Sequence, residues 1–291
     1  MYILAIETTG KAGSVALVKV DCEGGTGLPV LSVRQAYSRQ AAGEHEVSNE
    51  CAACAADSAD KCGNSKPLVL ASKKIEGSMS HLRELVPSVS AVLDEASVSK
   101  NEISYIAASI GPGSFTGIRI GVSTARALSQ ALGLEYAIAV PSLTGFMYKP
   151  AAREAKAAGK VVCAIINARR GQVYGRLDGY MDDGPYMLAD VLDVIRERVF
   201  AEGREVVFFG DGIDAYESQI NDGLAGHGKY EFASEDIRLQ DAESVAMCAA
   251  WNLDEYMVKA AELLPDYMRM AEAEQKLAAG QLPICKGPKQ E

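Results

Sequence analysis

The amino-acid sequence predicts an α/β protein with two duplicated lobes, and three observations support that fold class. The chain has 291 residues, more than a single domain usually contains. Two hairpin patterns of the same kind occur, one at the N-terminus and one in the middle of the chain. Each pattern is followed by alternating strand and helix signals, which are typical of α/β lobes.

The first lobe is predicted from the order of its apolar strands and amphipathic helices. Its hairpin consists of strands at residues 2–6 and 14–20, joined by a polar turn. Apolar residues at spacings of three and four predict a helix that ends near Ala96. Further elements follow in the order strand, helix, strand, at residues 103–110, 116–132 and 135–140.

The second lobe is predicted to repeat this pattern. Residues 161–166 and 172–177 form its hairpin, and a further apolar strand and turn lie at 205–212. Pro141 and Ser142 end one strand and begin a new helix, so the boundary between the lobes is placed there. The predicted domains are residues 1–141 and residues 142–291, and the second includes the C-terminal segment.

The pattern weakens between residues 38 and 78, which are rich in small and polar side chains. Cys51, Cys54 and Cys62 lie there, and His45 is the one clear candidate for a fourth zinc ligand. Because structural zinc normally has four protein ligands, a polar surface insertion is favoured over a metal site. We expect this insertion to lie outside the core and to hold no metal.

The composition predicts a soluble protein of the cytoplasm. Hydrophobic residues make up 48% of the chain, no apolar run approaches ~18 residues, and the first residues lack a signal-peptide pattern. A net charge of −10 argues against nucleic-acid binding by this chain alone, because phosphate recognition needs a basic surface. The seven cysteines are expected to be reduced thiols.

A glycine-rich turn, Gly111-Pro112-Gly113-Ser114, precedes the helix that is predicted from Thr116. Ser114 or Thr116 can cap this helix, and the free N–H groups of a first helical turn suit a phosphate. The alternative is an ordinary strand-to-helix turn that packs within its own core. Gly113 and Ser114 are therefore weak candidates for cofactor binding.

Small residues recur every fourth position along the same helix. Gly117, Gly121 and Ala125 would form a shallow groove into which a neighbouring helix can settle. The preceding helix would supply apolar ridges from Leu82, Leu85, Val89 and Leu93. Together with Thr116, these residues are predicted to form the interface with a partner, unless the groove faces the chain's own sheet.

Acidic residues leave a second class of function open. Glu7 lies at the tip of the first hairpin, and Asp211 lies between two glycines after a strand. With the turn at Gly113, they could organise a phosphate and its metal in a small-molecule kinase or a nucleotide-hydrolysing enzyme. Structural roles as caps and turn residues are the competing interpretation.

Four segments, in this order, resemble the TsaB family of bacteria. They are Ile3-Leu4-Ala5-Ile6-Glu7-Thr8-Thr9, Gly111-Pro112-Gly113-Ser114-Phe115-Thr116-Gly117-Ile118-Arg119, Asn167-Ala168-Arg169-Arg170-Gly171-Gln172-Val173-Tyr174 and Leu264-Pro265-Asp266-Tyr267-Met268-Arg269. The chain departs from the family pattern at Glu7 and Asn167, where relatives usually carry Asp. The resemblance implies the two-lobed fold of the actin and sugar-kinase superfamily.

The resemblance also implies a function. Members of the family are non-catalytic subunits of the complex that adds threonylcarbamoyl to N6 of the adenosine next to the anticodon of tRNA. The implied partners are TsaD, which carries the metal and transfers the group, and TsaE, an ATPase. The resemblance implies that this chain holds no cofactor and contacts tRNA only through the complex. It is also compatible with a homodimer when the chain is alone.

The histidines agree with a non-catalytic role. A metal-dependent transferase of this superfamily would need His-x-x-x-His, which places two imidazoles one helical turn apart. The sequence contains three histidines, His45, His81 and His227, and their spacing forms no such motif.

Overall fold

The computed structural model describes residues 1–21, 67–75 and 81–268, without the side chains of His81 and Leu82. Two sheets form the framework. The strands of the first sheet are β1 (Tyr2–Glu7), β2 (Gly13–Lys19), β3 (Leu68–Ile75), β4 (Ile103–Gly111), β5 (Tyr136–Pro141) and β11 (Met257–Lys259). Those of the second are β6 (Val161–Asn167), β7 (Gln172–Leu177), β8 (Met181–Met187), β9 (Val206–Phe209) and β10 (Tyr230–Phe232).

Eight α-helices are described between and after these strands. They are α1 (His81–Ala96), α2 (Phe115–Ala131), α3 (Ser142–Phe146), α4 (Pro150–Ala157), α5 (Leu188–Val194), α6 (Gly212–Leu224), α7 (Ala242–Trp251) and α8 (Leu253–Tyr256). A π-helical turn at Ile195–Val199 continues α5. None of the described helices is long and apolar enough to cross a membrane.

The two sheets share a topology of five strands, which confirms the predicted duplication, and β11 is an additional edge strand of the first sheet. The strand order is β11-β5-β4-β1-β2-β3 in the first and β10-β9-β6-β7-β8 in the second. In each, an antiparallel meander of three strands comes first, and its first strand then pairs in parallel with a later strand. The hairpins predicted from the sequence are β1–β2 and β6–β7.

Each lobe packs helices on both faces of its sheet. Helices α1 and α2 cover one face of the first sheet, through a core that includes Leu85, Val89 and Ile118. Helices α5 and α6 cover the corresponding face of the second sheet. Burial of these apolar stripes is the main driving force for the architecture.

The two lobes exchange helices across their junction. Helix α7 follows the second sheet in the chain, yet Val245, Cys248 and Ala249 pack on the first sheet. Leu143 and Phe146 of α3 pack instead on the second sheet. Strand β11 also returns to the first sheet, where it pairs antiparallel with β5. The domain boundary at residues 141 and 142 stays a prediction. Because α7 and β11 pack on the first sheet, residues from both sides of this boundary build the first lobe.

The extent of the polar insertion was predicted wrongly at its C-terminal end. Residues 68–75, inside the predicted range of 38–78, form edge strand β3, and Ala71 and Ile75 are buried in the first core. The three residues between them, Ser72, Lys73 and Lys74, are polar and exposed, which masks the strand pattern in the sequence. Deletion of residues 38–78 would remove this strand, so it is not expected to leave stability unchanged.

The predicted zinc ligands lie outside the described residues. Cys51, Cys54, Cys62 and His45 fall in residues 22–66, and the rest of the insertion falls there too. Cys163 and Cys248 are free, buried thiols, as predicted for these two positions. Burial raises the pKa of both thiols, so neither is poised as a nucleophile.

Candidate functional site: the cleft between the lobes

The turn of the first hairpin lies directly against the start of α2. The Ser114 amide donates to the Thr9 carbonyl oxygen at 2.8 Å, and the Thr8 hydroxyl donates to the Gly117 carbonyl oxygen at 2.7 Å. The Ser114 hydroxyl accepts from the Gly117 amide at 3.3 Å and caps the helix. The predicted phosphate-binding turn thus forms its hydrogen bonds within the chain.

Glycine is required where this turn meets the helix. A Cβ atom on Gly113 would lie 2.6 Å from the Thr9 carbonyl oxygen, and one on Gly117 would lie 1.9 Å from that of Thr8. On Gly121 it would lie 2.3 Å from the Thr8 hydroxyl oxygen. The small residues therefore allow the hairpin of β1 and β2 to approach α2 closely.

Glu7 ends β1 in the middle of the cleft and is 1% exposed. Its Oε1 accepts from the hydroxyl of Thr9 at 2.6 Å and also from the Thr9 amide. Its Oε2 has no hydrogen-bond partner among the described residues. Burial raises the pKa of the Glu7 carboxyl, against the opposing effect of the Ser109 and Thr9 hydroxyl groups. A buried carboxyl with a raised pKa is poorly suited to hold a magnesium ion, which prefers ionised oxygen ligands.

A small cavity separates Glu7 from residues of the second lobe and the exchanged helices. Its volume is about 10 Å³, and Ser142, Lys149, Gln240 and Asp241 contribute to its lining. That volume corresponds to about one water molecule, whereas small-molecule pockets are typically of the order of 300–1,000 Å³. As described, this part of the cleft is filled by the chain's own side chains.

An ion pair between the buried Lys149 and the partly exposed Asp241 closes the far side of the cavity. The Lys149 ammonium contacts the Asp241 carboxylate and donates to the Leu239 carbonyl oxygen at 2.8 Å. Asp241 also caps α7, because its other oxygen accepts from the Ser244 amide at 2.7 Å. The pair ties the start of α4 to the start of α7.

A more exposed set of charges bridges the outer rim of the cleft. Lys11 of the first hairpin turn lies 2.7 Å from the Asp214 carboxylate of α6, and Arg238 pairs with the same carboxylate at 2.5 Å. Asp214 therefore links the two lobes. The inner pair of Lys149 and Asp241 joins the start of α4 to the start of α7, which packs on the first sheet, so ion pairs connect the lobes at two depths.

The turn at Gly210, Asp211 and Gly212 is also used structurally. Gly210 has a φ of +100°, and a Cβ there would lie 2.0 Å from the Ile165 carbonyl oxygen. Asp211 accepts from the Asn167 amide at 3.0 Å. Burial raises the pKa of its carboxyl. The structure thus brings the second turn against its own hairpin, as it does for the first turn.

The predicted partner groove faces the chain's own sheet, which corrects its expected exposure. Gly117, Gly121 and Ala125 are buried against β1 and the first core, and Thr116 remains exposed. The described ridge residues of α1, Leu85, Val89 and Leu93, are also buried in that core. An apolar stripe on a helix indicates burial but does not tell which surface buries it. On the outer side, Val86 of α1 is 53% exposed and Phe115 of α2 is 43% exposed.

Sequence reasoning missed the inner lining of the cleft. Lys149, Gln240 and Asp241 lie far from Glu7 in the chain, and no short motif contains them. The pattern Asp241-x-x-Ser244 before an apolar run is a helix-start signal that could have located the cap. Its pairing with Lys149 depends on the helix exchange and could not be read from spacing.

Replacement of Glu7 by Gln tests the raised pKa. In the unfolded chain the Glu7 carboxyl has its ordinary pKa of 4.5. In the native protein its pKa is higher, so Glu7 keeps its proton at pH values where the unfolded chain has lost it. The native state then binds the extra proton, so stability falls as the pH rises above that value and levels off above the native pKa. Gln does not titrate, and the stability of Glu7→Gln relative to the parent protein is expected to rise across the same range. Urea unfolding at a series of pH values measures this difference, and a constant difference would contradict the raised pKa.

Taken together, the duplicated sheets, the exchanged helices and the closed cleft define a two-lobed α/β protein with an internal repeat. A family model described as "TsaD: tRNA N6-adenosine threonylcarbamoyltransferase" matches residues 75–281. A Bacillus subtilis protein, "tRNA threonylcarbamoyladenosine biosynthesis protein TsaB", is 30% identical over 204 residues, which cover 67% of this chain and 82% of that protein. The Escherichia coli protein of the same description is 38% identical over 94 residues, 32% of this chain and 39% of that protein.

The fold has a counterpart among solved structures. A Pseudomonas aeruginosa protein, described as uncharacterized with similarity to peptidase YEAZ, superposes with a TM-score of 0.57 at 24% identity. The superposition covers 92% of this chain and 99% of that one. The chain belongs to the TsaB family of tRNA threonylcarbamoyladenosine biosynthesis proteins, within the wider group that the TsaD family model describes.

Proposed function

We propose that this protein is a non-catalytic subunit of the machinery for threonylcarbamoyladenosine in tRNA, and that it acts by binding a TsaD-type paralogue. The observation that carries this proposal is the closed cleft. Glu7 is buried at its centre and Lys149 at its far side, and the cavity between them measures about 10 Å³. A cleft closed in this way favours a scaffold over an enzyme that must admit a nucleotide.

The alternative is a kinase or nucleotide hydrolase, and the contacts of its candidate residues disfavour it. Glu7 is buried with a raised pKa, Gly113 packs on Thr9, and Asp211 bonds to the second hairpin. Each residue thus has a structural role. A transferase centred on a metal is the other alternative, which the TsaD description raises, but the sequence lacks His-x-x-x-His.

The outer side of α1 and α2 is the proposed contact surface for the paralogue. The inner sides of both helices are buried in the first core, which leaves Val86 and Phe115 among the exposed large apolar residues of the described chain. Exposed apolar side chains on neighbouring helices suit a helix-to-helix contact with a related fold. In the absence of the paralogue, the same side is the proposed surface for a homodimer. TsaE and tRNA would join through the assembled complex, in the cytoplasm.

Val86→Glu tests this surface. A charge at the centre of an apolar contact is expected to weaken association with the cognate paralogue by at least about tenfold, while the exposed site leaves the melting temperature nearly unchanged. Met187→Glu, at an apolar side chain of the second lobe that is 43% exposed, is the matched control and should bind normally. Isothermal titration calorimetry and thermal melting measure the two quantities. Normal binding by Val86→Glu would place the contact elsewhere.

The non-catalytic role has its own test. Purified protein alone is expected to transfer no threonylcarbamoyl group to tRNA, and modification should require the paralogue. Robust modification by this chain without the paralogue would overturn the proposed scaffold role, whatever the result of the binding experiment.

A further inference from the structure

Arg119 stands out because its side chain is held firmly at the surface without a carboxylate partner. It lies on the exposed side of α2, beside Phe115 and Tyr267, which are 43% and 39% exposed. Leu264, three residues before Tyr267, is 52% exposed. We call Phe115, Arg119 and Tyr267 the Arg119 cluster.

Two aromatic rings fix the position of the guanidinium group. Its central carbon lies 3.9 Å from the centroid of the Phe115 ring and 5.7 Å from that of Tyr267. The Nε atom donates to the Tyr267 hydroxyl at 2.8 Å, and the two rings are 4.9 Å apart. Stacking on an aromatic face and one hydrogen bond orient the planar group before any partner arrives.

The charge of Arg119 is not neutralised within the described chain. The protein carries 39 acidic and 29 basic residues, and Arg176 and Arg238 pair with Asp183 and Asp214. In residues 1–21, 67–75 and 81–268, no carboxylate pairs with Arg119, whose described hydrogen bond goes to a neutral hydroxyl. The bond uses Nε, so the two terminal nitrogens can still donate to an external anion.

We propose that Arg119 is an anchor that receives a carboxylate side chain of the partner subunit. An arginine fork matches a carboxylate in two parallel hydrogen bonds. The proposal rests on the proposed function, because it assumes that α2 faces the paralogue. It adds a specific polar contact at the N-terminal end of α2 to an otherwise apolar surface.

The surroundings favour a protein carboxylate over an RNA phosphate. Phe115 and Tyr267 place apolar area beside Arg119, and aromatic residues with Arg are typical of the centres of protein interfaces. Nucleic acid binding instead relies on several cations that neutralise successive phosphates. The cluster offers one cation, in a chain with a net charge of −10.

Tyr267 acts as a positioning residue in this arrangement. Its hydroxyl accepts from Nε and its ring covers one side of the guanidinium group. Loss of the hydroxyl would free the rotation of the arginine fork without changing its charge. Tyr267→Phe is therefore expected to weaken partner binding less than the loss of Arg119 itself.

Binding of full-length variants to the purified cognate paralogue tests the proposal. Arg119→Ala and Arg119→Lys are expected to bind at least about tenfold more weakly, because Lys retains the charge but lacks the fork. Tyr267→Phe should bind a few-fold more weakly. Arg198→Ala, at an exposed arginine of the second lobe whose guanidinium carbon lies 5.3 Å from the Tyr180 ring centroid, is the matched control and should bind normally. The effect of Arg119→Ala should decrease at high salt, since charge–charge attraction is screened there.

The outcomes separate this inference from the proposed function. Normal binding by Arg119→Ala together with weak binding by Val86→Glu would overturn the anchor and leave the scaffold role in place. Failure of the unsubstituted protein to bind the paralogue would overturn the proposed function itself. If Arg119 only stabilised the fold, Arg119→Ala would have a lower melting temperature and Arg119→Lys would bind the paralogue normally. If Arg119→Ala bound the paralogue normally but the assembled complex lost tRNA, the ligand of Arg119 would be an RNA phosphate and the proposed carboxylate contact would be overturned.

Discussion

Gly117→Ala is expected to destabilise the protein by about 3 kcal/mol, at the upper end of the range for overpacked cores. The added Cβ would lie 1.9 Å from the Thr8 carbonyl oxygen, which is a backbone atom at the end of a central strand. Either β1 or α2 must shift, and the 2.7 Å bond from the Thr8 hydroxyl to the Gly117 carbonyl oxygen would be strained. Urea unfolding gives the free energy, and the melting temperature should fall by roughly 5 °C or more.

A second helical glycine provides the matched control for this prediction. In α3, a Cβ on Gly145 would meet nothing closer than a Val245 methyl group at 3.9 Å. Gly145→Ala is therefore expected to be neutral or to stabilise by up to about 1 kcal/mol, because Ala is the better helix former. Gly121→Leu should resemble Gly117→Ala and melt early. Equal stability of the Gly117 and Gly145 variants would contradict the close approach of β1 to α2.

The local elements of the fold could be predicted because their signals are local. The two hairpins follow from apolar runs around polar turns, and α2 follows from the capping residue Ser114 and its periodic apolar side. The similarity of the two hairpins also predicted the duplication, which the shared order of five strands in each sheet confirms. Strand β3 was missed because its exposed side is polar, as is common for edge strands.

The surface against which each helix face packs could not be predicted in the same way. Gly117, Gly121 and Ala125 indicate a close approach, but their spacing is the same whether a partner helix or the chain's own sheet approaches. In the structure, Gly117 and Gly121 both lie against Thr8, which directly follows β1 and is more than a hundred residues away in the chain. The same limit applies to the ridge residues of α1.

The closed cleft depends on contacts that only the tertiary structure creates. Glu7 was a candidate phosphate or metal residue because it ends a strand at the tip of a hairpin, where catalytic acids often lie. Its burial results from helices α3 and α7, which lie about a hundred residues apart in the chain and pack beside each other at the junction. The exchange of helices thus converts a potential ligand cleft into part of the core.

Lys149→Met should therefore be among the most damaging single substitutions at the junction, with an expected loss of about 3 kcal/mol. The methionine keeps the apolar stem, but the Asp241 carboxylate would lose its cation, and the Leu239 carbonyl oxygen would lose its donor. Asp241 keeps its bond to the Ser244 amide, which limits the loss. Asp241→Asn should cost a similar amount, because it preserves a capping side chain but leaves the buried ammonium unpaired.

The exposed pair of Lys11 and Asp214 is the comparison that tests whether burial of Lys149 causes the large loss of stability. Lys11 also bridges the lobes, but its side chain is 57% exposed, so Lys11→Met is expected to cost only about 0–1 kcal/mol. The double variant Lys149→Met/Asp241→Asn should lose less than the sum of its single variants, since neither residue then leaves a buried charge behind. Urea unfolding of all four variants measures these differences. A loss for Lys149→Met no larger than that for Lys11→Met would mean that the inner pair does not hold the starts of α4 and α7 together.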